Sequence, residues 1–288
     1  MKEDIARSWG DVMDLMFDNS WDEKISRYRS FYAFRGVKDA TWRMETSLMR
    51  LGGDYSSLEP HLLRNFQKYA HENAVERNSF WQWLTMGQHH GLPTRLLDWT
   101  FSPLVALHFA TDDTESMDVD GAVWMVHIRK THEKLPPNLA EHLKAEGSYV
   151  FSTKMLEDFS QDSIEREKGE GEIANSFRQS TICKVSDLRR LSNDPFAIFF
   201  EPPSVDGRVV NQYALFSVLS DPEIAFDDWL RVSDVECRKV VIPASLKWEI
   251  RDKLDQSNIT ERVIYPGLDG LSRWLKRHYS PRQTEGCS

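Results

Sequence analysis

The stretch Gln88-His89-His90-Gly91-Leu92-Pro93-Thr94-Arg95-Leu96-Leu97-Asp98-Trp99-Thr100 constrains the fold of this chain more than any other. Gly91 and Pro93 break regular structure, because glycine frees φ while proline locks it and removes a donor. Leu96-Leu97 then reads as a short apolar strand. Thr100 or Ser102 caps the helix that follows, with Pro103 in its first turn and Leu104-Val105-Ala106-Leu107-His108-Phe109-Ala110 as its body. This order of loop, strand and capped helix brings a strand end and a helix N-terminus to one crevice, where side chains and free N–H groups converge. Two imidazoles, a guanidinium, a carboxylate and an indole so close together exceed what a surface loop needs.

The remaining pattern indicates an α+β chain with strands spread throughout. Residues 1–30 alternate charge with Trp9, Leu15, Met16, Phe17, Trp21, Ile25 and Tyr28, an amphipathic pattern that predicts a helical N-terminal extension over residues 1–24. Phe31 to Gly36 predicts an aromatic strand, and residues 58–87 predict helix. Strands are expected at residues 122–128, 196–200, around 211–216 and at 237–243. Helices are expected within 131–150, at 244–254 and at 269–278. The polar segment 154–190, with Glu165-Arg166-Glu167-Lys168 at its centre, reads as an exposed insertion, either a solvated loop or a lid. No repeat, low-complexity tract or long linker divides the chain, which predicts a single domain.

Composition narrows the function classes. Hydrophobic residues make up 40% of 288 positions, with ten tryptophans, which suits a folded core. No stretch approaches the roughly 20 apolar residues of a membrane helix, and the charged start Met1-Lys2-Glu3-Asp4 does not read as a secretory signal. Cys183, Cys237 and Cys287 are scattered and form no CxxC pair, so a reduced cytoplasmic setting is expected, with no membrane partner. A net charge of −9 argues against a general grip on nucleic-acid backbone, although it leaves room for a local basic groove. No metal is expected, because no third ligand joins His89 and His90 at a diagnostic spacing and His108 reads as a helix-packing residue. Neither a Gly-rich phosphate loop in strand–helix context nor a Gly-x-Ser-x-Gly elbow occurs.

Three blocks, Tyr32-Ala33-Phe34-Arg35-Gly36, His89 to Ala110, and Arg208-x-x-Asn211-Gln212-x-x-Leu215-Phe216, resemble the FRG domain family in residues and order. The resemblance spans about residues 25–220, with residues 221–288 expected to complete the same domain by a strand and helices. Gln212-Tyr213-Ala214 stands where the family pattern has Gln-Gln-Gly.

A fainter resemblance links the chain to ADP-ribosyltransferases, which place an aromatic-Arg-Gly on a first core strand, a hydroxyl residue on a second strand leading into a helix, and Glu or Gln later. Phe34-Arg35-Gly36, Thr94 to Ser102 and Gln212 follow that order. The resemblance implies a split, mainly antiparallel β-sheet with flanking helices, and NAD+ as substrate in the cleft. It assigns Arg35, Asp98 and Gln212 to catalysis, and Phe34, Gly36, His89, His90, Thr94, Arg95 and Ser102 to cofactor binding. Arg35 would hold a phosphate or the adjoining ribose. A glutamine cannot act as a base, so Asp98 is the candidate carboxylate for the cation that develops on the ribose.

The expected function is toxin-like transfer of ADP-ribose to a macromolecule, protein or RNA/DNA, restrained by an antitoxin or inhibitor protein in a defence setting. NAD+ hydrolysis and a noncatalytic binding module are the alternatives. The residues also admit structural readings: Arg35 as an ion-pair partner, Arg95 with Asp98 as a loop-fixing pair, Trp99 as core, and Gln212 as a partner for buried backbone.

Overall fold

Alternation in Tyr32-Ala33-Phe34-Arg35-Gly36-Val37 sends Tyr32 and Phe34 to one face of a central strand and Ala33 and Val37 to the other. The computed structural model describes residues 1–70, 79–160, 185–204 and 207–282. The chain runs β1 (Lys2–Ile5), α1 (Trp9–Phe17), β2 (Trp21–Asp22), β3 (Arg27–Tyr28), β4 (Tyr32–Val37), α2 (Tyr55–Tyr69), α3 (Phe80–His89), β5 (Leu96–Thr100) and α4 (Pro103–Thr111). It continues through β6 (Gly121–His127), α5 (Ile128–His132), α6 (Pro137–Ala145), β7 (Phe151–Ser152) and β8 (Ala197–Glu201). The last elements are α7 (Gly207–Gln212), β9 (Ala214–Leu219), α8 (Phe226–Val232), β10 (Cys237–Ile242), α9 (Ala244–Gln256), α10 (Glu261–Ile264) and α11 (Leu268–Tyr279).

Eight strands form one sheet in the order β1-β10-β6-β4-β5-β9-β8-β7. It is antiparallel except at its two edges, where β1 joins β10 and β7 joins β8 in parallel. The central seam is thin. β4 registers with β6 over Tyr32–Val37 and β5 with β9 over Leu96–Thr100, whereas β4 and β5 share only Phe34 opposite Thr100. The sheet is therefore split at its centre, and the two halves diverge from that one bridge.

Three apolar clusters hold the halves. Tyr32, Phe34, Val123, Met125 and Val240 pack under α4, α9 and α1. Trp81 and Leu84 of α3 pack with Phe196, Ile198, Phe200 and Phe216 on the other half. On the opposite face Trp99, Trp124, Phe199, Phe226 and Trp229 form a continuous layer across the split. Each fully buried aromatic contributes roughly 1.5–3 kcal/mol by leaving water. Helix α4 lies so close to β4 that a Cβ on Gly36 would stand 1.8 Å from the Ala106 carbonyl oxygen.

Several expectations change. Residues 1–24 are not a helical extension: only Trp9–Phe17 is helical, and Lys2–Ile5 is an edge strand of the main sheet. Its alternating charges pair across the edge, Asp4 with Arg238 and Glu3 with Lys239, so a non-local ladder overrides local helical periodicity. The region around residues 211–216 is not all strand. Gly207–Gln212 is helical, and the strand begins at Ala214 after Tyr213 turns the chain in the left-handed region, with φ of 49°. Of the segment 154–190, residues 161–184 lie outside the described residues. The flanks are not an exposed insertion, because Leu156, Phe159 and Leu188 are buried in the core.

Candidate functional site

A cleft of about 920 Å3 opens where β4 and β5 part. Phe34, Arg35, Gly36 and Val37 line it from one side, and Asp98, Trp99 and Thr100 from the other. Arg35 occupies the split. Its Nη1 donates to the Asp98 backbone carbonyl at 2.6 Å, which ties the parted strands by a side chain where the ladder has ended. The Asp98 carboxylate lies 4.0 Å from the same nitrogen. Arg35 Nε is buried without a hydrogen-bond partner, which leaves a guanidinium edge unsatisfied at the cleft. Burial pulls the Arg35 pKa below the usual guanidinium value; Asp98 opposes that shift and the like charge of Arg50 adds to it.

The Gln88–Thr100 block is a self-clamped loop. Gln88 and His89 end α3 rather than beginning the loop, and Gly91 turns the chain with φ of 80°. The Thr94 hydroxyl donates to Gln88 Oε1 at 2.5 Å, and Gln88 Nε2 donates to Asp98 Oδ2 at 2.9 Å. The orientation of the Asp98 carboxylate is thus set by a relay from a fully buried threonine. Arg95 and Asp98 do not pair: Arg95 is buried and its Nε donates to Glu59 Oε2 of α2 at 2.6 Å. Trp99 is core, with Nε1 donating to Ser217 Oγ at 2.8 Å. The Thr100 hydroxyl donates to the Gln212 carbonyl at 2.7 Å and accepts from the Ser102 amide at 3.0 Å. Ser102 caps α4 by accepting from the Val105 amide.

The structure therefore sorts the candidate residues. Arg35, Asp98, Gln212, Phe34, Gly36 and His89 all line the cleft. His90 is an exposed helix cap outside it, Thr94 and Arg95 are buried behind it, and Ser102 serves α4. Gln212 sits at the end of a helix, and its Nε2 donates to the Ile264 carbonyl at 3.3 Å. Its role in satisfying backbone is thereby observed.

Residues that sequence reasoning left out complete the walls. Lys38, Arg43, Arg50 and Arg208 join Arg35 there, against the carboxylates Glu45, Asp98 and Asp112. Among the described lining residues five cationic groups face three carboxylates, although the chain carries −9. Lys38 is paired with Asp113, and Arg43 with Asp227 and Asp228. Trp42 stands at the rim, half exposed, with Lys38 Nζ 5.6 Å from its ring centre. Asp112, at the end of α4, has its pKa raised to about 6, chiefly by burial and against the pull of Lys38 and Arg251. The sequence signal for these residues is weak, because Arg50 and Asp112 lie in segments whose approach to β4 depends on the tertiary path.

No cluster of three or more His, Cys, Asp or Glu able to hold a metal occurs among the described residues. No helix among them is long and apolar enough to cross a membrane. No curated protein and no solved structure matches the chain. Residues 30–119, from just before β4 through the clamped loop and α4, match the model of the FRG domain family.

Proposed function

We propose that the cleft between β4 and β5 binds NAD+ and that the protein transfers ADP-ribose from it to a macromolecular acceptor. The observation that carries this reading is the Arg35 guanidinium in the sheet split, with an unpaired buried Nε and a second arginine, Arg50, acting on it as a like charge. A guanidinium destabilised by burial and by a neighbouring like charge is relieved by a bound anion, and a pyrophosphate supplies one. The volume of the cleft and the arginines Arg35, Arg50 and Arg208 in its lining suit a dinucleotide. The rim Trp42 offers a face for a base.

Breaking the nicotinamide–ribose bond develops positive charge on the ribose, which a fixed carboxylate stabilises. Asp98 is the residue for that task, because Gln88 and Thr94 hold it in place and Gln212 is engaged with Ile264. The toxin-like defence setting and a restraining inhibitor protein are part of the proposal and rest on the resemblance, while its cytoplasmic setting rests on the scattered cysteines.

The test is incubation of purified protein with labelled NAD+ and cell lysate, separated into protein and nucleic-acid fractions. Label in one fraction, lost in a folded Arg35→Ala variant, is the expected result. Free ADP-ribose without labelled macromolecule identifies a glycohydrolase instead. No NAD+ consumption identifies a binding module and ends the enzymatic reading.

A further inference from the structure

A second cavity of about 970 Å3 lies beside the first, and Asp112 lines both. Tyr265 lines the second cavity and touches residues of the first. Arg208, from the first cleft, stands 5.2 Å from its ring centre, and Arg273, from the second, stands 5.3 Å from it. Phe109, which lines the first cleft, packs on the same ring at 6.4 Å between centroids. One carboxylate is thus common to both linings, and one aromatic ring is contacted from both.

The walls of the second cavity carry opposite signs. Glu115 and Asp118 come from the connection between α4 and β6. Arg273 and Lys276 come from α11, with Arg282 just beyond it. All five are exposed, and none has an ion-pair partner closer than 4.0 Å among the described residues. Over the whole lining, five carboxylates meet four cationic groups. A nucleic-acid strand, uniformly anionic, is repelled by the acidic wall, whereas a polypeptide satisfies both. The aromatic floor of Trp248 and Tyr265 suits the apolar part of such a segment.

We infer that this second groove is the acceptor site, that it takes a polypeptide segment whose basic side chain lies toward Glu115 and Asp118, and that this segment meets the ADP-ribose donor at Asp112. The inference deepens the proposed transfer reaction and rests on it for the chemistry, though not for the docking. In the transfer, a bond forms between the acceptor heteroatom and the ribose anomeric carbon as the bond from that carbon to nicotinamide breaks. The bonding pair leaves with nicotinamide, which departs neutral, and the acceptor's proton passes to the Asp112 carboxylate.

Docking and chemistry are read separately. Fluorescence anisotropy of a labelled arginine–serine peptide, a glutamate–serine peptide and a single-stranded RNA is measured without NAD+, on the wild type and on the Glu115→Lys/Asp118→Lys variant. Quenching of tryptophan fluorescence by NAD+ reads the first cleft independently. The expected result is binding of the basic peptide, weakened about tenfold by the double reversal of charge. Preference for RNA, or basic-peptide binding indifferent to the reversal, overturns the inference. So does failure of all three probes to bind a wild type that binds NAD+. Peptide binding that follows the reversal, with no NAD+ quenching, retains the groove and overturns the donor reading alone. For Asp112, the expected signature of Asp112→Asn is loss of label transfer to the peptide with NAD+ quenching retained; unchanged transfer removes it from the reaction.

Discussion

At the scale of single residues, the Phe34-Arg35-Gly36 motif divides its labour between packing and site. Phe34 is core, Arg35 bridges the split sheet, and Gly36 admits α4. Gly36→Ala is therefore predicted to destabilise the fold by about 3 kcal/mol or more, because the methyl meets backbone and not a movable side chain. Urea unfolding monitored by tryptophan fluorescence checks it. Tyr213 shows the opposite economy. It holds a left-handed conformation that an L side chain adopts at a cost of roughly 1 kcal/mol, and its ring packs on Phe101 at 5.1 Å. This places the backbone demand at Tyr213, one residue before Ala214.

Among elements, the junction of α2, α3 and β5 decides how the cleft is presented. Glu59 of α2 is buried against Arg95, and it also accepts from the Arg95 amide at 3.2 Å. Removing one partner strands the other charge, so Glu59→Gln is expected to cost about 3–5 kcal/mol in chemical denaturation. Thr94→Val tests the relay toward Asp98. The relay predicts a stability loss of about 1–3 kcal/mol, since Gln88 loses the hydroxyl that orients it. It also predicts a fall in NAD+ turnover of about tenfold through kcat, with KM little changed, if Asp98 must be fixed to act. A loss of stability with kcat unaltered would make Thr94 purely structural.

For the whole molecule, buried titrating groups link stability to pH. His108 is buried beside Arg251, whose Nη1 donates to Nδ1, and burial with that cation lowers its pKa to about 3. His132 accepts from the Phe199 amide and has its pKa lowered to about 4 by burial. Both are neutral in the folded protein between pH 5 and 6, while the unfolded chain protonates them below about 6.5. Asp112 acts in the other direction, since its raised folded pKa keeps the proton that the unfolded carboxyl has lost. Among these three groups two protons favour the unfolded state and one the folded state, so together they make stability rise with pH across that window. Urea midpoints at intermediate pH values measure the slope, and His108→Gln is predicted to flatten it.

Local chemistry was sufficient for much of this architecture. The Ser102-Pro103 start of α4, the strands at Leu96–Thr100 and Cys237–Ile242, and the turn at Gly91 follow from caps, alternation and φ preferences that act within a few residues. The density of polar residues at 88–100 also marked a segment that lines the cleft, because such side chains need partners wherever they lie. Their partners were not legible. Arg95 finds Glu59, Gln88 finds Asp98, and Thr100 finds the Gln212 carbonyl, across separations that no periodicity reports. The strand at Lys2–Ile5 depends on an edge supplied by residues 237–242, and the cleft exists because β4 and β5 meet at one bridge and then part. Short-range preferences select elements; which charges are neutralised, which guanidinium stays unsatisfied and where the sheet opens are decided by long-range packing.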